Sequence, residues 1–202
     1  MPKIRGERLK MAVNLKKGQK VDLTKGRKNL KNIIVGLGWD TNKYKGSYDF
    51  DLDAEVFMLN SDNKVSSDDD FIFYNNLEHR SKSVKHMGDN LTGGSEGDDE
   101  QIKINLSKVP KNIYKIAFTV TIYEAEKRKQ NFGQVSNAYI NIMDDDSGDD
   151  LVRYDLGEEF SDDTAVLVGE LYRAGDTWNF NASGTGYRCD LRVICLNFGV
   201  NV

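Results

Sequence analysis

A glycine-rich acidic segment over residues 88–100 offers the side chains in this sequence that are best suited to chemistry. It contains four glycines and no lysine or arginine. Its carboxylates are Asp89, Glu96, Asp98, Asp99 and Glu100. Closely spaced carboxylates repel one another unless a cation lies between them, and Ca²⁺ prefers flexible, oxygen-rich, anionic loops. The segment therefore predicts a cation site, and a solvated acidic loop is the alternative that these residues leave open.

A second acidic pattern lies upstream, where carboxylates alternate with apolar residues. Asp49, Asp51 and Asp53 occupy every second position. On a strand they would project from one face while the intervening residues project from the other. Asp40 ends the preceding predicted strand and would reach the same end if the two strands pair antiparallel. Together with the acidic segment, these side chains provide enough oxygen ligands for one or two Ca²⁺ ions.

Other familiar metal sites do not fit the spacing. An EF-hand loop needs glycine at its sixth position and glutamate at its twelfth, but counting from Asp49 those positions hold Ala54 and Asn60. The residues that zinc would need are His79, His86, Cys189 and Cys195. Their spacing matches no zinc motif. Both histidines lie in a polar stretch, which predicts exposed side chains without a role in a site.

A formal match to a hydrolase motif lacks its structural context. Residues 93–97 fit the pattern G-x-S-x-G, which requires a hydrophobic strand before it and a helix after it. Here polar residues precede the motif and further carboxylates follow it. We therefore expect no catalytic residues and no enzymatic activity.

The elements that must position these residues are mostly strands. Short apolar or alternating stretches recur about every ten residues, separated by Gly, Asn and Asp, with no long helical stripe between them. The predicted strands cover residues 11–15, 20–23, 32–37, 52–59, 71–74, 101–106, 114–123, 138–143, 151–156, 165–172 and 178–181. This pattern predicts a mainly β protein, an antiparallel β-sandwich.

One helix is predicted near the C-terminus. Apolar residues recur at positions 191, 194, 195 and 198, which is the spacing of one helical face, and Gly199 follows as a stop signal. A second, shorter helix is predicted over residues 124–129. The complete prediction is a β-sandwich with a short C-terminal helix.

Length and charge limit the architecture and the partners. The 202 residues and the 39% apolar content suit a single domain over residues 11–202. We expect residues 1–10 to be a non-native or disordered basic leader. Residues 1–31 carry 11 lysines and arginines against two acidic residues, whereas the remainder is strongly acidic. Because that acidic body would repel a polyanion, no nucleic-acid partner is expected.

The sequence also predicts a cytoplasmic location. It contains no apolar run of membrane-spanning length and no charged-then-apolar leader. Cys189 and Cys195 are six positions apart. That spacing is about 9 Å along a helix or about 20 Å along a strand, beyond the ~7 Å limit for a disulfide. Two reduced cysteines fit a reducing compartment.

Several segments together resemble the TerD family of bacterial tellurium-resistance and general stress proteins. They cover residues 35–40, 50–54, 70–76, 88–93, 97–101, 130–134, 169–173 and 198–202. The resemblance implies a β-sandwich that binds Ca²⁺ through acidic clusters at one end. It also implies cation-ligand roles for Asp40, Asp51, Asp53, Asp89, Asp98, Asp99 and Glu100. Glu124 stands where many relatives carry aspartate, which makes it a further candidate ligand.

The function that the resemblance implies is a non-enzymatic, Ca²⁺-binding role in the bacterial stress response, associated with tellurite resistance. The implied partners are other stress-resistance proteins, including a membrane-associated complex, without direct membrane insertion. The alternative is a nucleotide- or phosphate-binding protein or enzyme that uses a divalent cation at the same acidic loop. Against this alternative, the loop lacks the lysine or arginine that phosphate recognition normally requires.

Overall fold

Two β-sheets make up most of the computed structural model, which describes residues 12–40, 50–88, 97–156 and 160–202. The strands are β1 Val13–Leu15, β2 Lys20–Asp22, β3 Asn32–Asp40, β4 Leu52–Leu59, β5 Phe71–Ile72, β6 Val84–His86, β7 Glu100–Asn105, β8 Lys115–Ile122, β9 Ser136–Asp144, β10 Asp150–Asp155, β11 Ala165–Ala174, β12 Thr177–Asn181 and β13 Thr185–Tyr187. The helices are α1 Ala125–Arg128 and α2 Leu191–Phe198.

The strand order identifies a sandwich. Sheet A has the order β1-β10-β9-β3-β7-β6, and sheet B has the order β2-β12-β11-β8-β4-β5, with β13 also paired to β11. Neighbouring strands run antiparallel, except that β1 runs parallel to β10. The predicted antiparallel β-sandwich is therefore confirmed, with one parallel pair at the edge of sheet A as a correction.

The main core lies between the two sheets. In β3 the alternate residues Ile33, Val35 and Leu37 belong to this core, and in β8 the alternate residues Ile116 and Phe118 do so as well. These side chains are at most 2% exposed. Complete burial of a large apolar side chain contributes about 1.5–3 kcal/mol, so this alternation stabilises the packing of one sheet on the other.

A second core lies on the outer face of sheet B, under α2. In its second half β4 is apolar on both faces, so Phe57 and Leu59 project away from the main core and pack in a cluster with Ile194 and Cys195 of α2. The Asp190 side chain accepts a hydrogen bond from the Val193 N–H at 3.1 Å, which begins the helix. The helix ends at Gly199, whose φ of 84° favours glycine. The predicted C-terminal helix is confirmed.

Differences from the sequence predictions are local. Each predicted strand overlaps an observed one, and the predicted short helix corresponds to α1. The three-residue strands β6 and β13 were not predicted. The condition given for Asp40, antiparallel pairing of its strand with the strand that follows Asp51, is not met, because β3 and β4 belong to different sheets. No helix among the described residues is long and apolar enough to cross a membrane.

Candidate metal centre at the acidic end

Most of the predicted ligands lie at one end of the sandwich. In sheet A, β3 ends and β7 begins there, since Leu37 pairs with Glu100. In sheet B, β4 begins and β8 ends there, since Leu52 pairs with Ile122. The predicted ligands at this end are Asp40, Asp51, Asp53, Asp98, Asp99, Glu100 and Glu124. We call this set the acidic end. Asp89, the remaining predicted ligand, lies outside the described residues.

Glu100 connects the two sheets at the acidic end. Its carboxylate is 2% exposed, and Oε2 accepts a hydrogen bond from the Ala54 N–H of β4 at 2.8 Å. His86 Nε2 lies 3.4 Å from the same oxygen. Because His86 Nδ1 accepts a hydrogen bond from the Gly88 N–H at 3.2 Å, the neutral imidazole carries its proton on Nε2, facing Glu100. The carboxylate therefore holds Asp53, next to Ala54, close to the start of β7.

Asp98 packs over the outer face of sheet A. Its Oδ1 accepts hydrogen bonds from the Tyr139 hydroxyl at 3.0 Å and from Asn141 Nδ2 at 3.1 Å. Partial burial, together with the Asp98 charge, raises the pKa of Tyr139 to about 12. A Cβ at Gly36 would lie 2.0 Å from Asp98 Oδ2, so only glycine leaves room for this carboxylate. The same crowding occurs at Gly38, where a Cβ would lie 2.4 Å from the Tyr139 ring.

Asp99 and Asp40 are anchored at the end of β3. The Asp99 N–H donates to the Leu37 carbonyl at 2.7 Å, and Asp99 Oδ2 accepts from the Trp39 N–H at 2.8 Å. Asp40 is exposed and accepts a hydrogen bond from Asn137 Nδ2. Asp40 therefore reaches the acidic end as predicted, although through pairing of β3 with β7 and β9 instead of with β4.

A further buried carboxylate, Glu55, was missed by the sequence prediction. It accepts hydrogen bonds from the hydroxyls of Thr119 at 2.5 Å and Thr121 at 2.6 Å. Burial raises the pKa of Glu55 well above its ordinary value, and the negative charges of Asp53 and Glu100 add to the rise. The signal was available, because Glu55 continues the alternation of acidic residues at positions 49, 51 and 53.

Glu124 has cationic neighbours. Lys127 Nζ lies 2.9 Å from both of its carboxylate oxygens, and this hydrogen bond lowers the pKa of Glu124. Arg128 Nε is 3.7 Å from Glu124 Oε2, and Arg128 Nη1 is 3.9 Å from Asp51 Oδ2. A metal ion that used Glu124 would have to compete with these ion pairs.

The prediction that His79 and His86 are exposed is wrong, since each is 1% exposed. His79 Nε2 lies 3.0 Å from Asp70 Oδ1, and His79 Nδ1 accepts from the Ser81 N–H at 3.2 Å. The Ser81 hydroxyl lies 2.6 Å from the same Nδ1. The contact between His79 and Asp70 joins the segment that follows β5 to the residue that directly precedes β5. Local polarity misled the prediction, because a polar neighbourhood in sequence does not exclude a buried, hydrogen-bonded imidazole.

The donor chemistry of the acidic end fits a hard cation. The predicted ligands of the acidic end are carboxylates, two of which, Asp53 and Glu100, are almost completely buried. Carboxylate oxygens are the ligands that Ca²⁺ prefers. Within residues 12–40, 50–88, 97–156 and 160–202, no group of three or more His, Cys, Asp or Glu side chains is arranged to hold a metal ion. A complete site would therefore need Asp89 or another ligand outside those residues, or a rearrangement of the carboxylates.

Comparison with known proteins identifies the family. A family model described as the TerD domain matches residues 11–198. The chain belongs to the TerD family. It is 55% identical over 192 residues to General stress protein 16U of Bacillus subtilis (strain 168), covering 95% of this chain and 100% of that protein. It is 50% identical over 191 residues to Tellurium resistance protein TerD of Serratia marcescens, covering 95% of this chain and 99% of that protein.

A solved structure shares the architecture. The crystal structure of a homologue of telluride resistance protein (TerD) from Streptomyces coelicolor A3(2) matches with a TM-score of 0.67 and 19% sequence identity. The match covers 82% of this chain and 95% of that one. At this identity the likeness shows the fold alone. The family assignment rests on the family model and on the relatives from Bacillus and Serratia.

Proposed function

We propose that this TerD-family protein binds Ca²⁺ at the acidic end and acts in the bacterial stress response, including tellurite tolerance, without catalysing a reaction. The names of its relatives support the physiological part of the proposal. The hydrogen bond from Ala54 N–H to Glu100 carries the metal part, since it draws the carboxylates of two sheets to one end. Candidate ligands are Asp40, Asp51, Asp53, Asp98, Asp99 and Glu100, with Asp89 and Glu124.

Charge explains why a cation is favoured there. The Asp53 and Glu100 carboxylates are 6% and 2% exposed, and burial together with their negative charges raises the pKa of Glu55. Like charges removed from water repel each other strongly. Bound Ca²⁺ would neutralise this charge, and binding to the folded state alone stabilises it. We propose that the ordered acidic end stabilises the fold or completes a surface for partner proteins of the stress response.

The two thiols do not favour direct reduction of tellurite. Both cysteines are free. Burial raises the pKa of Cys195 to about 12 and also raises that of Cys189. Because the thiolate is the reactive form, both side chains are poor nucleophiles and reductants near neutral pH. Free thiols also support a cytoplasmic site of action.

The experiment that tests this proposal is calorimetric titration of Ca²⁺ into metal-stripped protein. Asp98→Asn and Asp53→Asn are compared with Asp146→Asn, which makes the same change at the opposite end of sheet A, where Asp146 bonds Asn32. We expect saturable binding that either of the first two substitutions weakens at least tenfold and that Asp146→Asn leaves unchanged. An absence of both heat and thermal stabilisation in the folded wild type would contradict the proposal. Stabilisation by a nucleotide without added Ca²⁺ would favour the phosphate-binding alternative.

A further inference from the structure

A cavity of about 860 Å³ lies on the outer face of sheet B. It is lined by residues of β4, β8, α1 and the start of α2, together with Tyr74 from the turn after β5. Its volume lies within the range of about 300–1,000 Å³ that is typical of ligand pockets. The cavity is therefore large enough for a ligand of several amino-acid residues.

Part of the lining is apolar and open to solvent. Tyr74, Tyr123 and Val193 all line the cavity, and they are 37%, 43% and 42% exposed. Apolar surface that a ligand covers contributes about 25 cal/mol per Å² to binding, so these three side chains favour a ligand with apolar groups. Aromatic side chains are also frequent anchors in protein interfaces.

The charged part of the lining is negative overall. Its carboxylates belong to Asp53, Glu124, Glu126, Asp162 and Asp190. Its cations belong to Lys127, Arg188 and Arg192. The formal charge of the lining is therefore −2.

Ion pairs within the lining already engage two of the three cations. Lys127 lies 2.9 Å from Glu124, and Arg188 lies 2.7 Å from Asp162. Asp53 is 6% exposed, and a charge in a less polar surrounding acts more strongly on its neighbours. Each of these ion pairs joins one cation to one carboxylate, so the formal charge of the lining stays at −2 and favours a cationic group.

We propose that this cavity binds a short segment of a partner protein in which an arginine or lysine is flanked by apolar residues. The cationic group lies toward the acidic lining that includes Asp53, and its apolar neighbours pack on Tyr74, Tyr123 and Val193. A free amine would match the charge but would leave most of the cavity and its apolar walls uncovered. The inference does not depend on Ca²⁺ binding, although Asp53 is a candidate ligand in both.

The experiment uses three blocked tripeptides that differ at the central residue: acetyl-leucyl-arginyl-leucyl-amide and its glutaminyl and glutamyl counterparts. Binding to the full-length, metal-stripped protein is followed by amide chemical shifts in ¹⁵N NMR spectra. We expect the arginyl peptide to bind at least tenfold more tightly than the glutaminyl peptide, and the glutamyl peptide to bind most weakly. The shifts should concentrate in residues 121–127 and 188–193. Because the protein is metal-stripped, peptide binding is measured independently of the proposed Ca²⁺ function.

A matched pair of substitutions on α2 locates the site. Val193→Arg adds a cation to the lining and should weaken binding of the arginyl peptide at least tenfold. Leu196→Arg makes a similar change on the same helix, at a residue that is 53% exposed and does not line the cavity, and should leave the affinity within twofold. Equal losses in both variants would overturn the inference. No binding at millimolar peptide, tighter binding of the glutamyl peptide, or equally tight binding of free spermidine would also overturn it.

Discussion

The Glu100 carboxylate of sheet A accepts a hydrogen bond from the Ala54 N–H of sheet B at 2.8 Å. The two residues are 46 positions apart in the sequence, and both are buried. A buried backbone N–H needs a hydrogen-bond acceptor. Since β5 pairs with β4 only at Val56 and Phe57, Glu100 provides the acceptor for the Ala54 N–H. One side chain thus fixes the position of the acidic end relative to both sheets.

Removing this carboxylate should destabilise the fold. Glu100→Ala leaves the Ala54 N–H without its acceptor, which costs about 1–3 kcal/mol of unfolding free energy. Glu100→Gln keeps a carbonyl oxygen at the same place and should cost less. Urea unfolding at pH 7 without metal measures both changes, with Glu126→Ala on the exposed side of α1 as the control. A Glu100→Ala variant as stable as that control would show that the hydrogen bond is dispensable.

Gly36→Ala should also destabilise the protein, for a steric reason. The added Cβ would lie 2.0 Å from Asp98 Oδ2 and 2.3 Å from Asn141 Oδ1. Overpacking of this kind typically costs about 1–3 kcal/mol. Combining it with Asp98→Ala removes one of the two clashing groups, so the effects of the two substitutions should not be additive. Strict additivity in thermal unfolding would mean that Asp98 does not pack on Gly36.

The individual strands and helices of this fold could be predicted more easily than the pairing of the strands. The predicted bounds of β4 match the observed ones, because every second residue of this strand, from Leu52 to Met58, is apolar and faces the main core. The apolar stripe of α2 could be predicted from its helical spacing. In the structure Ile194 and Cys195 belong to the second core, and Leu191 and Phe198 are partly buried against it. Alternation of apolar and polar residues predicts which face of a strand a side chain lies on, but it does not predict which strands pair. For that reason Asp40 was placed at the correct end through the wrong pairing.

Burial of polar side chains was the least predictable property of the site. Glu55, His79 and His86 are almost completely inaccessible, yet each carries a group that sequence reasoning assigns to the surface. Their partners come from distant segments: Thr119 and Thr121 for Glu55, and Glu100 for His86. Only the assembled sheets bring these groups together. The local alternation marks Glu55 as a fourth carboxylate on the same face, but it could not show that Glu55 is buried.

The buried pair of His79 and Asp70 should be energetically coupled. Each side chain is 2% exposed, and leaving a buried hydrogen-bonding group without its partner costs about 1–3 kcal/mol, or more where that group is charged. His79→Ala, Asp70→Ala and the double variant form a thermodynamic cycle measured by urea unfolding. We expect the double variant to be clearly more stable than the sum of the single losses implies. Arg188→Ala is the control, since Arg188 and its partner Asp162 are each 71% exposed and the substitution should change stability by about 1 kcal/mol at most.

Glu55 should make the folded protein less stable as pH rises. Burial raises the pKa of Glu55 in the folded state, so the folded protein holds a proton that the unfolded chain releases above its ordinary pKa near 4.5. Stability contributed by this group is therefore complete below that pKa and is lost as pH rises toward the folded-state value, by about 1.4 kcal/mol per pH unit. Glu55→Gln removes the charge while keeping the shape and the contacts with Thr119 and Thr121. We expect Glu55→Gln to be more stable than the wild type at pH 8, with a smaller difference at pH 5, in chemical unfolding of metal-stripped protein. Parallel stability profiles across that pH range would mean that Glu55 does not hold its proton in the fold.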